Sequence, residues 1–184
     1  MEIFKAVYRY GHRVHWLHHF ALYFIVIMLM WSTVGFASER TRLQEVFQQE
    51  LGRYDRRAVS RYLAYTDLAY GHEWCAAFVS YCFGRLGYST PRTPWSPALF
   101  PKSRVVWSYA DQRSPPTRVQ VGMVWGIYIH SKRRVGHVGF VDSYSHGILT
   151  TIEGNTSDPQ GKSPNGVYRK RRIWRTLHSI ADWL

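Results

Sequence analysis

Cysteine is scarce in this chain. Only Cys75 and Cys82 occur among 184 residues, which excludes a disulfide-stapled mini-domain and any zinc site built from four thiolates. Acidic residues are few as well: 12 Asp and Glu stand against 24 Lys and Arg, a net charge of +12. That shortage points to an anionic partner and leaves nucleic acid, an acidic membrane surface and an acidic wall polymer open. No tandem repeat and no low-complexity tract occurs. Charged residues make up 20% and hydrophobic ones 46%, a balance that excludes wholesale disorder and allows a packed core. At this length the chain holds one ordinary domain and not two large ones. Aromatic residues are plentiful, with 8 Trp and 13 Tyr, as suits a surface that faces carbohydrate or membrane.

The long hydrophobic run lies near the N-terminus. Lys5, Arg9 and Arg13 precede Phe20–Trp31, and Gly35-Phe36-Ala37 sets small residues at −3 and −1 before Ser38. A basic flank, an uninterrupted apolar stretch and that ending describe a secretory signal peptide. Extended to Ala37, the run reaches the lower limit for a bilayer span, about 18 residues. An uncleaved signal anchor is therefore the competing reading, with the basic flank kept in the cytoplasm in either case. A buried core helix fits less well, because nothing polar interrupts Phe20–Trp31 at helical spacing. The favoured readings divide the chain into residues 1–37, signal peptide or signal anchor, and residues 38–184, an exported domain. Both readings place the exported domain outside the cytoplasm, tethered to the membrane if the anchor stays.

Downstream, apolar spacing predicts amphipathic helices over Arg40–Leu51 and Ala58–Ala69. Proline, serine and threonine crowd Ser89–Pro116, which reads as loop with one helical turn near Val105–Tyr109. From Val119 onward the period changes to two. Val121, Met123, Trp125, Ile127 and Ile129 make one strand, Val138–Val141 a second, Ile148–Ile152 a third after a turn at Gly147, and Val167–Trp174 a fourth. Helices first and adjacent strands afterwards predict an α+β fold with an antiparallel sheet.

The chemistry concentrates in Trp74–Gly87. Cys75, Phe78, Val79, Cys82 and Leu86 recur at helical spacing, and Gly87 follows where a left-handed cap is expected. Cys75 thus falls in the first turn of a helix, where free N–H groups and the dipole lower a thiol's pKa and bind an oxyanion. Cys82 lies two turns on, about 10 Å along the axis, too far to form a disulfide, and reads as a small buried hydrophobe. A nucleophilic thiol needs a base, and the base needs an acceptor to fix its tautomer. His137 opens one predicted strand and Glu153 closes its hairpin partner, so both belong at the same edge of the sheet. Residue types alone leave His137 open as a surface or capping histidine and Glu153 as an ordinary strand-end charge.

Three segments taken together are more specific. Glu73-Trp74-Cys75-Ala76-Ala77-Phe78-Val79, Gly136-His137-Val138-Gly139 and Ile152-Glu153-Gly154-Asn155 resemble, in order and separation, the CHAP domain (cysteine, histidine-dependent amidohydrolase/peptidase), a branch of the papain-like fold. The resemblance spans about Arg40 to Trp174. One departure is Gly122-Met123, where members often carry Gly-Asp. The resemblance implies a papain-like α+β domain with N-terminal helices and the nucleophile helix packed on an antiparallel sheet. It implies Cys75 as nucleophile, His137 as base, Glu153 as orienting acid and Asn155 as the asparagine beside that acid. The activity implied is hydrolysis of a peptidoglycan amide bond with no cofactor and no metal. The bond is either the one joining glycan to peptide, as for an N-acetylmuramoyl-L-alanine amidase, or one within the peptide, as for an endopeptidase.

Other readings compete. A wall-binding or secretion-associated protein of the same fold without catalysis, and a thiol acyltransferase, use the same scaffold. A zinc site from His72, Cys75, His137 and Glu153 lacks the compact spacing of zinc motifs. Arg169-Lys170-Arg171-Arg172 with Trp174 has the composition of a nucleic-acid patch, yet export argues against that partner and a solvated strand face suits the run better. Trp95 and Trp107 serve either a glycan-binding groove or the anchoring of their loop.

Overall fold

The computed structural model describes residues 37–184. The sequence segment read as a signal peptide or anchor lies, but for Ala37, outside the described residues. Two polar caps start the first two helices. Ser38 Oγ accepts the Thr41 N–H at the head of α1 (Glu39–Gln49), and Asp55 Oδ1 accepts the Ala58 N–H at the head of α2 (Arg56–Tyr65). Then come α3 (Cys75–Arg85), β1 (Val105–Ser108), α4 (Tyr109–Gln112), β2 (Val124–Ile129), β3 (Arg134–Ser145), β4 (Ile148–Thr156), β5 (Gly166–Ile173) and β6 (Ser179–Ala181). The six strands form one antiparallel sheet in the order β1-β6-β2-β3-β4-β5. The α+β expectation holds, in an arrangement compatible with a papain-like CHAP fold.

Alternation along the central strands builds two cores. Val124, Val138, Phe140 and Ile152 pack with residues of the three large helices. Their neighbours of opposite parity, Met123, Trp125, Val141 and Leu149, pack with Trp107, Trp174 and Ile180. Phe140 stacks on Phe47 of α1 with ring centroids 4.7 Å apart, which ties the first helix to the middle of the sheet. Polar contacts reinforce that tie. Gln44 and Gln48 both donate to Asp142 Oδ1 of β3, and Arg169 of β5 pairs with the same carboxylate.

Several expected elements change at their ends. The second helix stops at Tyr65, not Ala69, because Thr66 Oγ1 folds back onto the Leu63 carbonyl and Asp67 turns to a φ of 60°. The turn expected near Val105–Tyr109 is strand β1, since Val105 and Trp107 pair with Ala181 and Ile180, and the helical turn follows it at α4. The first long strand begins at Val124. Gly122, with φ 83°, bends the chain before it, and Met123 N–H closes that turn on the Gln120 carbonyl. At the departure from Gly-Asp, Met123 is buried in the second core, and its sulfur accepts the Gln120 N–H at 3.4 Å.

Candidate active site

Helix α3 carries Cys75 at its first position. Its sequence is apolar almost all round, and Cys75 to Ser80, Cys82 and Phe83 are all buried between α2 and the sheet. Gly154 makes the close approach to β4 possible: a β-carbon there would lie 2.6 Å from Phe78 Cβ and 2.9 Å from the Trp74 ring. Unlike α1 and α2, α3 has no side-chain cap. Trp74 holds the cap position and gives its N-terminal N–H groups no partner. Those donors and the positive end of the helix dipole therefore lie at the thiol. Gly87 beyond the other end takes φ 86°, the expected left-handed stop.

Cys75 is only 3% exposed, and its Sγ lies 3.6 Å from Ser96 Oγ in the short 3₁₀ turn Ser96–Leu99. Burial by itself raises the thiol pKa. Hydrogen bonding to His137 and its positive charge, with help from Ser96 and the Val138 backbone, outweigh burial and hold it below the ordinary value. Cys82, fully buried in the same helix, has no such partner, and burial drives its pKa far up. The two thiols share a helix and differ in chemistry.

His137 and Glu153 are interior residues of β3 and β4, not strand ends as expected, because pairing with β2 extends β3 back to Arg134 and β4 runs on to Thr156. They still meet. Phe140 pairs with Ile152, so the antiparallel register carries Gly139 opposite Glu153. With no side chain at Gly139, the Glu153 carboxylate crosses the strand to His137; a β-carbon there would lie 2.7 Å from the Ile152 carbonyl oxygen and 3.2 Å from Glu153 Cγ. His137 Nε2 is 2.9 Å from Glu153 Oε2, which leaves Nδ1 as the nitrogen for the thiol. Burial opposes the imidazolium, but hydrogen bonds to Cys75 and Glu153 and their charges raise the His137 pKa to about 9. Glu153 is 0% exposed; burial opposes its charge, and bonds from His137, Arg172 and Thr151 bring its pKa down to about 2. The three shifts favour the same charged arrangement, with the thiol lowered, the imidazole raised and the carboxylate lowered.

The fourth expected site residue stands apart. Asn155 takes a φ of 55° where the β4–β5 register shifts, and it is half-buried. Cys75 bonds to Ser96, His137 to Glu153, and Glu153 also to Thr151 and Arg172; none of these bonds goes to Asn155. Among the described residues no group of three His, Cys, Asp and Glu side chains is placed to hold a metal ion, and His72 lines a separate open hollow with Tyr54, Tyr70 and Trp74. The two tryptophans divide their roles. Trp107 is buried and donates to the Ser114 carbonyl, a loop anchor, whereas Trp95 is 52% exposed beside Ser96 with the Arg134 guanidinium 4.2 Å over its ring. Glu73, just before the nucleophile helix, binds both Lys132 and Arg134 on the strand side of the same rim.

Two participants were hidden in the sequence. Ser96 sits in a loop with no periodic signal. Arg172 belongs to the basic run expected to be a solvated strand face, but its guanidinium turns back across β4. It donates from Nε to Glu153 Oε1 at 2.8 Å and from an Nη to Oε2 at 2.6 Å. Arg169 in the same run is held by Asp142, so the run is only partly a free face.

The family model described as the CHAP domain matches residues 67–155, which include Cys75, His137, Glu153 and Asn155. That family is one of peptidoglycan hydrolases and amidases. No curated protein and no solved structure gives a significant match.

Proposed function

From the CHAP-domain match over the segment that holds the site, we propose that the chain is an exported thiol hydrolase of a peptidoglycan amide bond. One observation carries the reading: His137, whose charge lowers the thiol pKa of Cys75 at an uncapped helix start, has Nε2 2.9 Å from the buried carboxylate of Glu153. The Cys75 thiolate attacks the carbonyl carbon of the wall amide. Helix N–H groups, with the Ser96 hydroxyl close to the sulfur, receive the oxyanion. His137 Nδ1 gives its proton to the leaving nitrogen as the C–N bond breaks, and a thioester remains on Sγ. The neutral imidazole then takes a proton from water as the oxygen attacks the thioester. Carboxylic acid departs, and the thiolate–imidazolium pair is restored. Glu153 keeps the imidazole aimed throughout.

The partner is the anionic wall polymer. Peptidoglycan stems carry carboxylates, and residues 38–184, with 24−3=21 Lys and Arg against 12−1=11 Asp and Glu and so a net +10, are drawn to them, more strongly at low salt. Export is part of the same proposal. The compact unit runs from Ser38, the residue after the expected cleavage point, and Ser38 is itself the cap of α1. In a Gram-negative host the mature periplasmic product should start at Ser38 by intact mass, or the full-length chain should stay with the inner membrane. A full-length soluble cytoplasmic product would contradict both.

The activity is tested by mass spectrometry of purified peptidoglycan after digestion. New amine and carboxylate ends at one type of amide, each cleavage adding one water, are expected. The fragments distinguish glycan–peptide from peptide–peptide cleavage. New glycan reducing ends, or no fragments at all, would overturn the reading.

A further inference from the structure

Glu153 has no solvent access, yet its charge must survive each turnover. When His137 hands its proton to the leaving nitrogen, the imidazole is neutral and the nearest counter-charge to the carboxylate is gone. A buried carboxylate left unpaired in that way is strongly disfavoured and would draw a proton to itself or hold the imidazolium proton too tightly. The structure supplies a second cation. Arg172 reaches from β5 and grips both oxygens of Glu153 through Nε and an Nη, at 2.8 and 2.6 Å. A guanidinium is a cation whose fork of donors matches the carboxylate.

We propose that Arg172 is a positioning residue of this site, a permanent counter-charge that keeps Glu153 ionised and aimed at His137 through both protonation states of the imidazole. The inference rests on the Cys75–His137–Glu153 reading above and deepens it. Every group facing the carboxylate fits that division of labour. His137 on β3 supplies the bond that changes during turnover, with Cys75 of α3 beyond it. Thr151 on β4 donates to Oε1 at 2.7 Å, and Arg172 on β5 supplies the fixed charge. Trp125 completes the frame. It is fully buried, with the His137 ring edge-on at 5.6 Å and the Arg172 guanidinium 5.5 Å from its centroid. The arginine is thereby held by an apolar wall as well as by its partner, and its side chain stays 28% exposed. That exposure lets it carry a full charge at the margin of the core.

The sign of its effect is fixed by electrostatics. Removing a cation from the cluster makes every remaining group bind protons more readily, so both limbs of a bell-shaped activity profile move to higher pH. A merely structural residue would lower the amount of folded enzyme and leave the profile in place. The experiment measures the pH dependence of iodoacetamide alkylation at Cys75, read by peptide mass, and of peptidoglycan solubilisation. It compares wild type, Arg172→Met, Arg172→Lys, Glu153→Gln and the Glu153→Gln/Arg172→Met double variant.

Arg172→Met should move the alkylation midpoint and the acid limb of activity up by about one pH unit or more. Arg172→Lys, a point charge without the fork, should move them by less and recover part of the turnover. With Glu153 already neutral, adding Arg172→Met should cost far less further turnover than it costs the wild type. An unmoved profile in folded Arg172→Met, or an equal loss of turnover with and without the Glu153 charge, would overturn the proposal. If Arg172→Met does not fold, Arg172→Lys decides: a profile identical to wild type with unchanged turnover overturns it. Failure of the hydrolase reading looks different. There the wild type releases no wall fragments, while the alkylation midpoint still follows the charge at position 172.

Discussion

Glu153 Oε2 lies 2.9 Å from His137 Nε2, and this carboxylate is closed to solvent while the imidazole keeps a partly open edge. The pair therefore has an inner member that stays charged and an outer member that exchanges protons. Its first consequence is for stability in acid. Glu153 is depressed from an ordinary value of 4.5 to about 2 in the fold. Its contribution to stability is thus complete above about pH 4.5 and is lost as pH falls toward 2. Thermal midpoints of the wild type should fall across that window. Glu153→Gln, already lower at neutral pH because Arg172 loses its partner, should fall less steeply, and an identical slope in the two proteins would contradict the assignment. Turnover in Glu153→Gln should drop on the order of 100-fold or more, since the ring loses its orienting acceptor.

The two cysteines give a second prediction. Cys75→Ala should keep the fold and lose wall cleavage. Cys82→Ala should keep activity and lose roughly 1–2 kcal/mol of stability, as truncation at a fully buried position does. Urea titrations and wall-release assays on both variants check it. Equal loss of activity in two folded variants would mean that the nucleophile is misassigned.

Gly139 offers a test that removes no functional group. In Gly139→Ala the new β-carbon would meet the Ile152 carbonyl oxygen at 2.7 Å, the Trp125 ring at 3.0 Å and Glu153 Cγ at 3.2 Å. Two of these neighbours are backbone or a fully buried ring, so the strand must move. The variant should lose about 1–3 kcal/mol by overpacking, and its remaining folded fraction should turn over slowly because the carboxylate is pushed away from His137. Wild-type turnover per folded molecule would show that the crossing at Gly139 is unimportant.

Metal removal should have no effect. The imidazole nitrogen nearest Glu153 is already bonded to it, and the proposed chemistry uses only thiol, imidazole and water. Exhaustive treatment with a chelator should leave both wall release and Cys75 alkylation unchanged. Activity lost to the chelator and restored by zinc would return the site to a metal held by His72, Cys75 and His137.

What the sequence revealed and what it hid follow from the range of the interactions. Cys75 was legible because a helix stripe and a following Gly87 fix its place by local rules alone. His137 and Glu153 were legible as partners because one hairpin with a turn at Gly147 joins their strands, although their places within those strands were misjudged. Strands β1 and β6 were not legible. They have four and three residues and pair with each other from distant parts of the chain, so neither carries a periodic signal of its own. Arg172 was hidden for a related reason: an arginine in a basic strand reads as solvated until the register shows which carboxylate lies within its reach. Ser96 was hidden because a proline-rich loop has no period from which an inward direction follows.

The central claim is that Cys75, and not its neighbour two turns along, is a thiolate prepared by His137 and the start of α3. The most direct test is alkylation of the folded wild-type protein with iodoacetamide across pH, with the two cysteine peptides quantified separately by mass. Cys75 should react at pH values below the ordinary thiol pKa of ~8.5, while Cys82 stays unmodified, and the reaction at Cys75 should abolish wall cleavage in proportion. Alkylation of Cys75 that rises only above about pH 8, or that leaves cleavage intact, would contradict the account.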